Sequence, residues 1–438
     1  MLVPLLSEAD PAAASEGSID PLGLFATGDV LAERLVPGVR ERQRHPRFLT
    51  ATAVSLAVCQ DFDPDRLAAD GVSEPWQVFE WYAVEGLVRT EGDDERVRGV
   101  PGVEKARRAI RDRVPLSAAR YLKNPGVFGF HGVYRPLARS LGIEEGGGLG
   151  QTGVLLLEAW MGDRRLKGFW GAADGPGRKQ HSIIAEAVED GLTKGAVARG
   201  PGWGGWKFFG QHLRPGKTSK AEGKVLREAL LDLSGGHRRE VLEFLASEEG
   251  KAAWAAEEMR GQRERRFHEA LLPHASQPLA ELLDTILAYE RFGRLIQDAF
   301  DDCLYAMTRQ RGKTPVATMA DCPCVRTATE QVPDLYAELA ARLQTFGESV
   351  RFQETFAYVA ERLPAAAWVQ ELLKHHAEVQ RGKPPNGKLP WFDRFDDGSC
   401  VVRTAYRRDG GGVGRKNYVR PYRTAPLWSF AWDLGMVS

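Results

Sequence analysis

Few residues in this chain have the types and spacing that chemistry needs. Glu222-Gly223-Lys224 is an acid-x-lysine string of the kind that sets a Mg²⁺-binding carboxylate beside a cation for phosphodiester hydrolysis, with Asp190 as a conceivable second carboxylate. Lys224, however, opens a helical pattern and does not follow a strand. Cys322-Pro323-Cys324, preceded by Asp321, reads as a loop offering two thiolates; zinc needs two further ligands, and Cys303 and His376 stand at no recognised spacing. His375 and His376 are adjacent, so a regular helix cannot turn both rings to one metal, and the pair reads as a polar helix end. Asp61, Asp63 and Asp65 alternate as in a calcium loop, but Arg66 replaces the required glycine and the later glutamate is missing, which leaves a helix-end turn. Gly216-Lys217-Thr218 lacks the upstream glycine and the strand of a phosphate loop, which disfavours ATP. No catalytic residue, metal ligand or cofactor is assigned.

What remains is electrostatic. The 59 Lys and Arg balance 59 Asp and Glu, but the signs are partitioned along the chain. Residues 1–100 carry nine basic against 18 acidic side chains, and residues 101–225 reverse this to 21 against 11. Residues 226–380 return to 18 against 25, and residues 381–425 swing to 11 against four. Two basic segments alternating with two acidic ones could present a positive face to phosphates, or an ordinary solvated surface.

The elements that must position these charges are mainly helical. A composition of 43% hydrophobic and 27% charged residues excludes collagen-like, mucin-like and wholly disordered chains. No apolar run reaches the roughly 18 residues of a membrane helix, and the first 20 residues lack the basic start of a signal peptide. The protein is therefore expected to be cytoplasmic with no membrane partner, and its five cysteines, odd in number and sparse, are expected as thiols. Five regions are expected: an acidic helical domain (1–100), a unit of short helices (101–162), a basic Gly- and aromatic-rich segment (163–223), a helical bundle (224–380), and a basic β-hairpin with a closing helix (381–438). The stretches 47–62 and 74–89 read as buried helices, the second started by Glu74-Pro75. Apolar positions from Leu279 to Met307 repeat as one long amphipathic helix that accounts for Cys303, and 334–346, 352–363 and 365–379 continue the bundle.

Residues 103–160 divide into a helix near Glu104–Arg113, a short helix over Leu116–Lys123, and a turn at Asn124-Pro125-Gly126. A third helix near Tyr134–Leu141 follows, then Ile143, a glycine-rich hairpin over 144–153, and an apolar helix at Val154–Trp160. Pro136 is tolerable only in a first turn, which places the third helix's start near Val133. This order resembles a winged helix-turn-helix domain over roughly 55 residues. The resemblance implies that the third helix enters the DNA major groove and presents His131, Tyr134, Arg135 and Arg139, with Arg120 and Lys123 on backbone phosphates. Such domains also serve as protein–protein modules, and the expected wing is acidic at Glu144 and Glu145.

In the next segment Trp170, Trp203, Trp206, Phe208 and Phe209 interleave with Arg164, Arg165, Lys167, Lys207, Arg214 and Lys217. Aromatic faces that stack on unpaired bases and cations that meet phosphates could line a nucleic-acid groove, although most of these rings are expected to be buried. In the tail, Cys400–Tyr406 and Asn417–Tyr422 read as strands of a hairpin bent at Asp409-Gly410-Gly411-Gly412, with 425–434 closing as a helix. Arg403, Arg407, Arg408, Arg415, Lys416, Arg420 and Arg423 would form a phosphate clamp or pair with the acidic helices.

These readings point to a mainly α, multi-domain, non-enzymatic DNA-binding protein that contacts largely the phosphate backbone of double-stranded DNA, with single-stranded DNA as a further candidate. The chain is similar in outline to accessory subunits of bacterial antiviral defence systems, which implies a motor or nuclease as partner. A Mg²⁺-dependent nuclease built on Glu222 and a pure protein-interaction scaffold are the alternatives.

Overall fold

In the computed structural model, the described residues are 20–437 except 93, 95, 96, 98, 217, 233, 234, 257–259, 311 and 385. The N-terminal residues that bear on a signal segment, and Lys217, lie outside them. The described chain is mainly helical, with two small two-stranded sheets. In chain order it runs α1 (Phe25–Leu35), α2 (Arg47–Cys59), α3 (Pro75–Glu91), α4 (Val103–Arg111), α5 (Pro125–Phe128), α6 (Phe130–Ser140), β1 (Glu144–Glu145), β2 (Gly148–Leu149), α7 (Gln151–Arg164), α8 (Pro176–Lys194), α9 (Trp206–Leu213), α10 (Lys220–Leu230) and α11 (Arg238–Ala246). It continues through α12 (Glu248–Ala255), α13 (Arg260–Leu271), α14 (Gln277–Arg309), α15 (Val316–Ala320), α16 (Pro323–Arg342), α17 (Ser349–Phe356), α18 (Ala365–Arg381), β3 (Phe392–Arg394), β4 (Cys400–Val402) and α19 (Thr424–Asp433). No helix among the described residues is long and apolar enough to cross a membrane.

The chain forms two compact units. One comprises the described part of Met1–Ala32 with Ala252–Tyr422, and the other Glu33–Lys251 with Arg423–Ser438.

The second unit is built around α2 and α3. Nearly every residue of α2 is buried, because its sequence is apolar or small on all sides. Pro75 occupies the first turn of α3, and Glu74 and Gln77 form a reciprocal capping box there. Helix α9 lies close against α3: a Cβ on Gly86 would come within 2.4 Å of the Phe209 ring, so only glycine permits the approach. Phe79 meets Phe209, and Tyr82 meets Trp206, across that contact.

Between α4 and α7 the structure departs from expectation in two places. Residues 116–123 carry no helix; Val197 donates to the Leu116 carbonyl at 2.9 Å and Ser117 bridges Ala196, so extended pairing uses the backbone groups that a helix would need. Helix α6 begins at Phe130, not near Val133, and holds Pro136 in its interior. Its start is pinned by buried Glu80, whose Oε2 accepts the His131 N–H at 2.9 Å and whose Oε1 accepts the Tyr121 hydroxyl at 2.6 Å. The β1–β2 hairpin turns on Gly146 and Gly147 alone, both at positive φ (57° and 86°), the conformation a two-residue type I′ loop demands.

The first unit centres on α14, 33 residues long, which packs along α16. Its apolar stripe from Leu279 to Met307 is buried apart from Leu287 and Leu295, and Cys303 lies in it as expected. Cys322-Pro323-Cys324 is not a loop: Pro323 starts α16, which runs through Pro333 and so opens eleven residues before Asp334. His375 and His376 are buried within α18 and not at a polar end. Leu22 and Pro21 carbonyls accept from them at 2.8 and 2.9 Å, and burial pushes His376 down to about 3. Cys400 pairs with Arg394 and not with the 417–422 segment, because Asp397-Gly398 supplies the turn between β3 and β4. The glycines at 410–412 instead wrap the acidic part of α14, where the Gly412 N–H donates to Asp302 at 2.8 Å.

Candidate nucleic-acid interface

The structure sorts the candidate cations by whether a carboxylate already holds them. In the first unit, Arg403 pairs with Asp393 at 2.8 Å, Arg408 with Asp301 at 3.4 Å, and Arg415 with Asp301 and, at 3.7 Å, with Asp298. These three tie the basic tail to carboxylates of their own unit. Arg407 and Lys416 are exposed, and their side chains form no ion pair among the described residues.

In the second unit, His131 and Tyr134 lie inside the fold. His131 is 3% exposed, stacks on Trp76 with ring centres 4.7 Å apart, and is pushed down to about 3 by burial, so it is a neutral ring packed in the core. Tyr134 is 1% exposed, and its oxygen accepts the N–H groups of Arg44 and His45 at 2.7 and 2.9 Å. The N-terminal end of α6, from which base edges would be read, is occupied by Glu80, whose carboxyl burial pushes up to about 7. Arg135 and Arg139 converge on Glu144 at 2.7 and 3.2 Å. Glu144 is fully buried, so the acidic hairpin clamps α6. Arg120 and Lys123 are exposed on the 116–124 segment and form no ion pair among the described residues.

Lys207 leads to a different place. The helix α9 turns Trp206, Phe208, Phe209 and Leu213 into the core. Lys207, Gly210, Gln211 and Arg214, spaced by three, one and three, form its opposite face and line a recess of about 1280 Å³. The walls add the first turn of α2 (Arg47), the last turns of α3 (Arg89, Glu91) and α7 (Arg164), the glycine-rich loop with Trp203, and Trp432 from α19.

Most charges in the recess have partners. Arg47, 2% exposed, pairs with fully buried Glu222 at 2.9 Å, and Arg89 pairs with Glu85 at 2.7 Å. Glu91 is held by Arg214 at 3.0 Å, and Asp433 accepts from His45 at 2.7 Å. Two cations are left over. Arg164 makes no ion pair among the described residues; it gives one long bond to the Gln211 carbonyl at 3.5 Å, and its Nε is buried without an acceptor. Lys207 is exposed and has no partner among the described residues. The recess thus carries a cationic surplus at Arg164 and Lys207, and Trp432, 46% exposed, stands at its edge.

The carboxylates of the nuclease alternative are engaged elsewhere. Glu222 also accepts the Thr50 and Ser219 hydroxyls at 2.7 and 2.8 Å and completes a capping box on α10. Lys224 pairs with Glu228 on the same helix and Asp190 with Arg199 at 2.7 Å.

Sequence reasoning assembled Arg164, Lys207, Arg214 and Trp203 into one basic-aromatic segment, and the recess contains all four. Arg47, Arg89 and Trp432 escaped it. No local signal marks them, since each lies in an apolar helix read as core and reaches the site only through tertiary packing. No family model, curated protein or solved structure matches the chain.

Proposed function

We propose that the protein binds nucleic acid without cleaving it, chiefly through phosphates that enter the recess of the second unit. The observation that carries this reading is the pair of cations, Arg164 and Lys207, set in a recess whose carboxylates are already held. A phosphate there gains charge-assisted hydrogen bonds that the protein itself leaves unmade. Exposed Arg120 and Lys123 supply further backbone contacts in the same unit. Base reading by α6 has no support in the packing, since its leading side chains are buried, so affinity rests on backbone charge and not on sequence.

The test is anisotropy of labelled oligonucleotides, duplex and single-stranded, between about 50 and 200 mM salt. Affinity falls linearly on a log–log plot. Arg164→Ala and Lys207→Ala each weaken binding and flatten the slope, whereas Arg403→Ala, whose side chain is tied to Asp393, leaves both unchanged. Added Mg²⁺ leaves the DNA intact. Absence of binding to either form at the lower salt defeats the reading.

A further inference from the structure

The recess also bears on the form of the nucleic acid, an inference that rests on the reading above. A duplex carries its phosphates on the outside of a stiff rod and is read by protein elements that protrude into its grooves. Here the arrangement is inverted. The cationic surplus lines a hollow in which the Arg164 Nε is buried while Lys207 stands exposed, and a thin, flexible strand can bring phosphate to both. The volume, about 1280 Å³, lies above the roughly 300–1,000 Å³ of small-molecule sites, which suits several linked residues of a polymer. Trp432, 46% exposed, is the tryptophan of this rim most open to water: Trp206 is buried in the core and Trp203 packs edge-on to it with ring centres 5.0 Å apart. An exposed indole beside unpaired cations is the combination that binds single strands, where a base stacks and the backbone follows the charge.

We infer that the recess takes an unpaired nucleic-acid strand, with its phosphates at Arg164 and Lys207 and a base stacked on Trp432. Ser429, one turn before Trp432 on α19, also lines the hollow, and its hydroxyl donates to the Arg44 carbonyl at 2.6 Å. That bond fixes the helix that carries the indole. The strand chemistry is common to DNA and RNA, since neither the phosphates nor the stacking face depends on the sugar.

The experiment titrates the full chain against labelled oligo-dT, oligo-rU and a blunt duplex of equal length, at matched salt. At least one homopolymer binds more tightly than the duplex. Trp432→Ala weakens that homopolymer by about 5- to 150-fold, the worth of one stacked base, and leaves its salt slope unchanged. Lys207→Ala instead lowers the slope by about 0.7, the share of one phosphate on a single strand. Because nearly half of Trp432 is open to water, Trp432→Ala still unfolds in one cooperative transition with at most a small drop in melting temperature, which separates a lost contact from a lost fold. Equal or tighter binding of the duplex overturns the inference while leaving nucleic-acid binding standing, as does a Trp432→Ala variant with wild-type affinity for the homopolymer. Failure of all three probes to bind overturns both.

Discussion

The Arg47–Glu222 pair invites the sharpest test, because the same glutamate is a catalytic candidate in one reading and a structural counter-ion in the other. The two residues are 2% and 0% exposed and 2.9 Å apart. Replacing Glu222 with leucine removes three things at once. The Thr50 hydroxyl loses its acceptor and α10 loses its capping box, together about 2 kcal/mol. Arg47 is also left charged in the interior, which costs about 3–5 kcal/mol. Changing Arg47 to methionine in the same chain cancels only the last effect. Arg47→Met/Glu222→Leu is therefore expected to be about 3–5 kcal/mol more stable than Glu222→Leu alone, although it has one more substitution. Urea unfolding followed by tryptophan fluorescence reads this directly, since eight of the 11 tryptophans belong to the second unit. A double variant no more stable than the single one would refute the account of Glu222 as the counter-ion of a buried arginine.

Two further outcomes follow from buried carboxylates. Glu80 is pushed up to about 7, so the folded state holds its proton more tightly than the unfolded chain; its stabilising effect is complete below about pH 4.5 and is lost as pH rises through about 7. Stability at the two ends of that window should differ by about 3 kcal/mol more in the wild type than in Glu80→Gln, measured by urea unfolding at each pH; parallel profiles would contradict the assignment. Arg135→Ala and Arg139→Ala should each cost little while the other still holds Glu144, and together should cost about 3–5 kcal/mol, visible as a non-additive double-mutant cycle.

Much of the helical framework was legible in the sequence. The apolar stripe of α14, the dense core pattern of α2, and the Glu74-Pro75 start of α3 are local signals, and local signals survive folding. The departures have a common cause in distance along the chain. Nothing near Phe130 announces that Glu80, 50 residues earlier, will cap its helix, so the burial of His131 and Tyr134 could not be read from their neighbours. The segment read from Asp334 in fact begins at Pro323: the Pro333 ring removes one helical hydrogen bond, but buried Val332, Leu335 and Leu339 on either side hold α16 together. The three-residue strands β3 and β4 are too short for alternation to show; Asp397-Gly398 was the available sign of their turn.

The charge pattern shows most clearly what a sum leaves out. The basic tail of 381–425 read equally as a phosphate clamp or as a partner of the acidic helices, and Arg403, Arg408 and Arg415 all meet carboxylates, Arg415 one that lies 114 residues away. In the 101–225 segment, Arg135, Arg139, Arg199 and Arg214 are engaged in the same way. An arginine already paired releases no counterion on binding unless it changes partner, so the salt dependence should count only the unpaired cations. If a single strand engages Arg164 and Lys207 alone, the slope of log K against log salt is about −1.4; if Arg120 and Lys123 join them it approaches about −2.8. A slope near −5 brings in about three further cations, either exposed ones without an ion pair among the described residues, such as Arg165 and Lys167, or paired arginines of the second unit that leave Glu91, Glu144 or Asp190 for phosphate, and only in the second case does Arg214→Ala flatten it. A slope that Arg214→Ala does not change places the binding charge where the structure leaves it uncompensated.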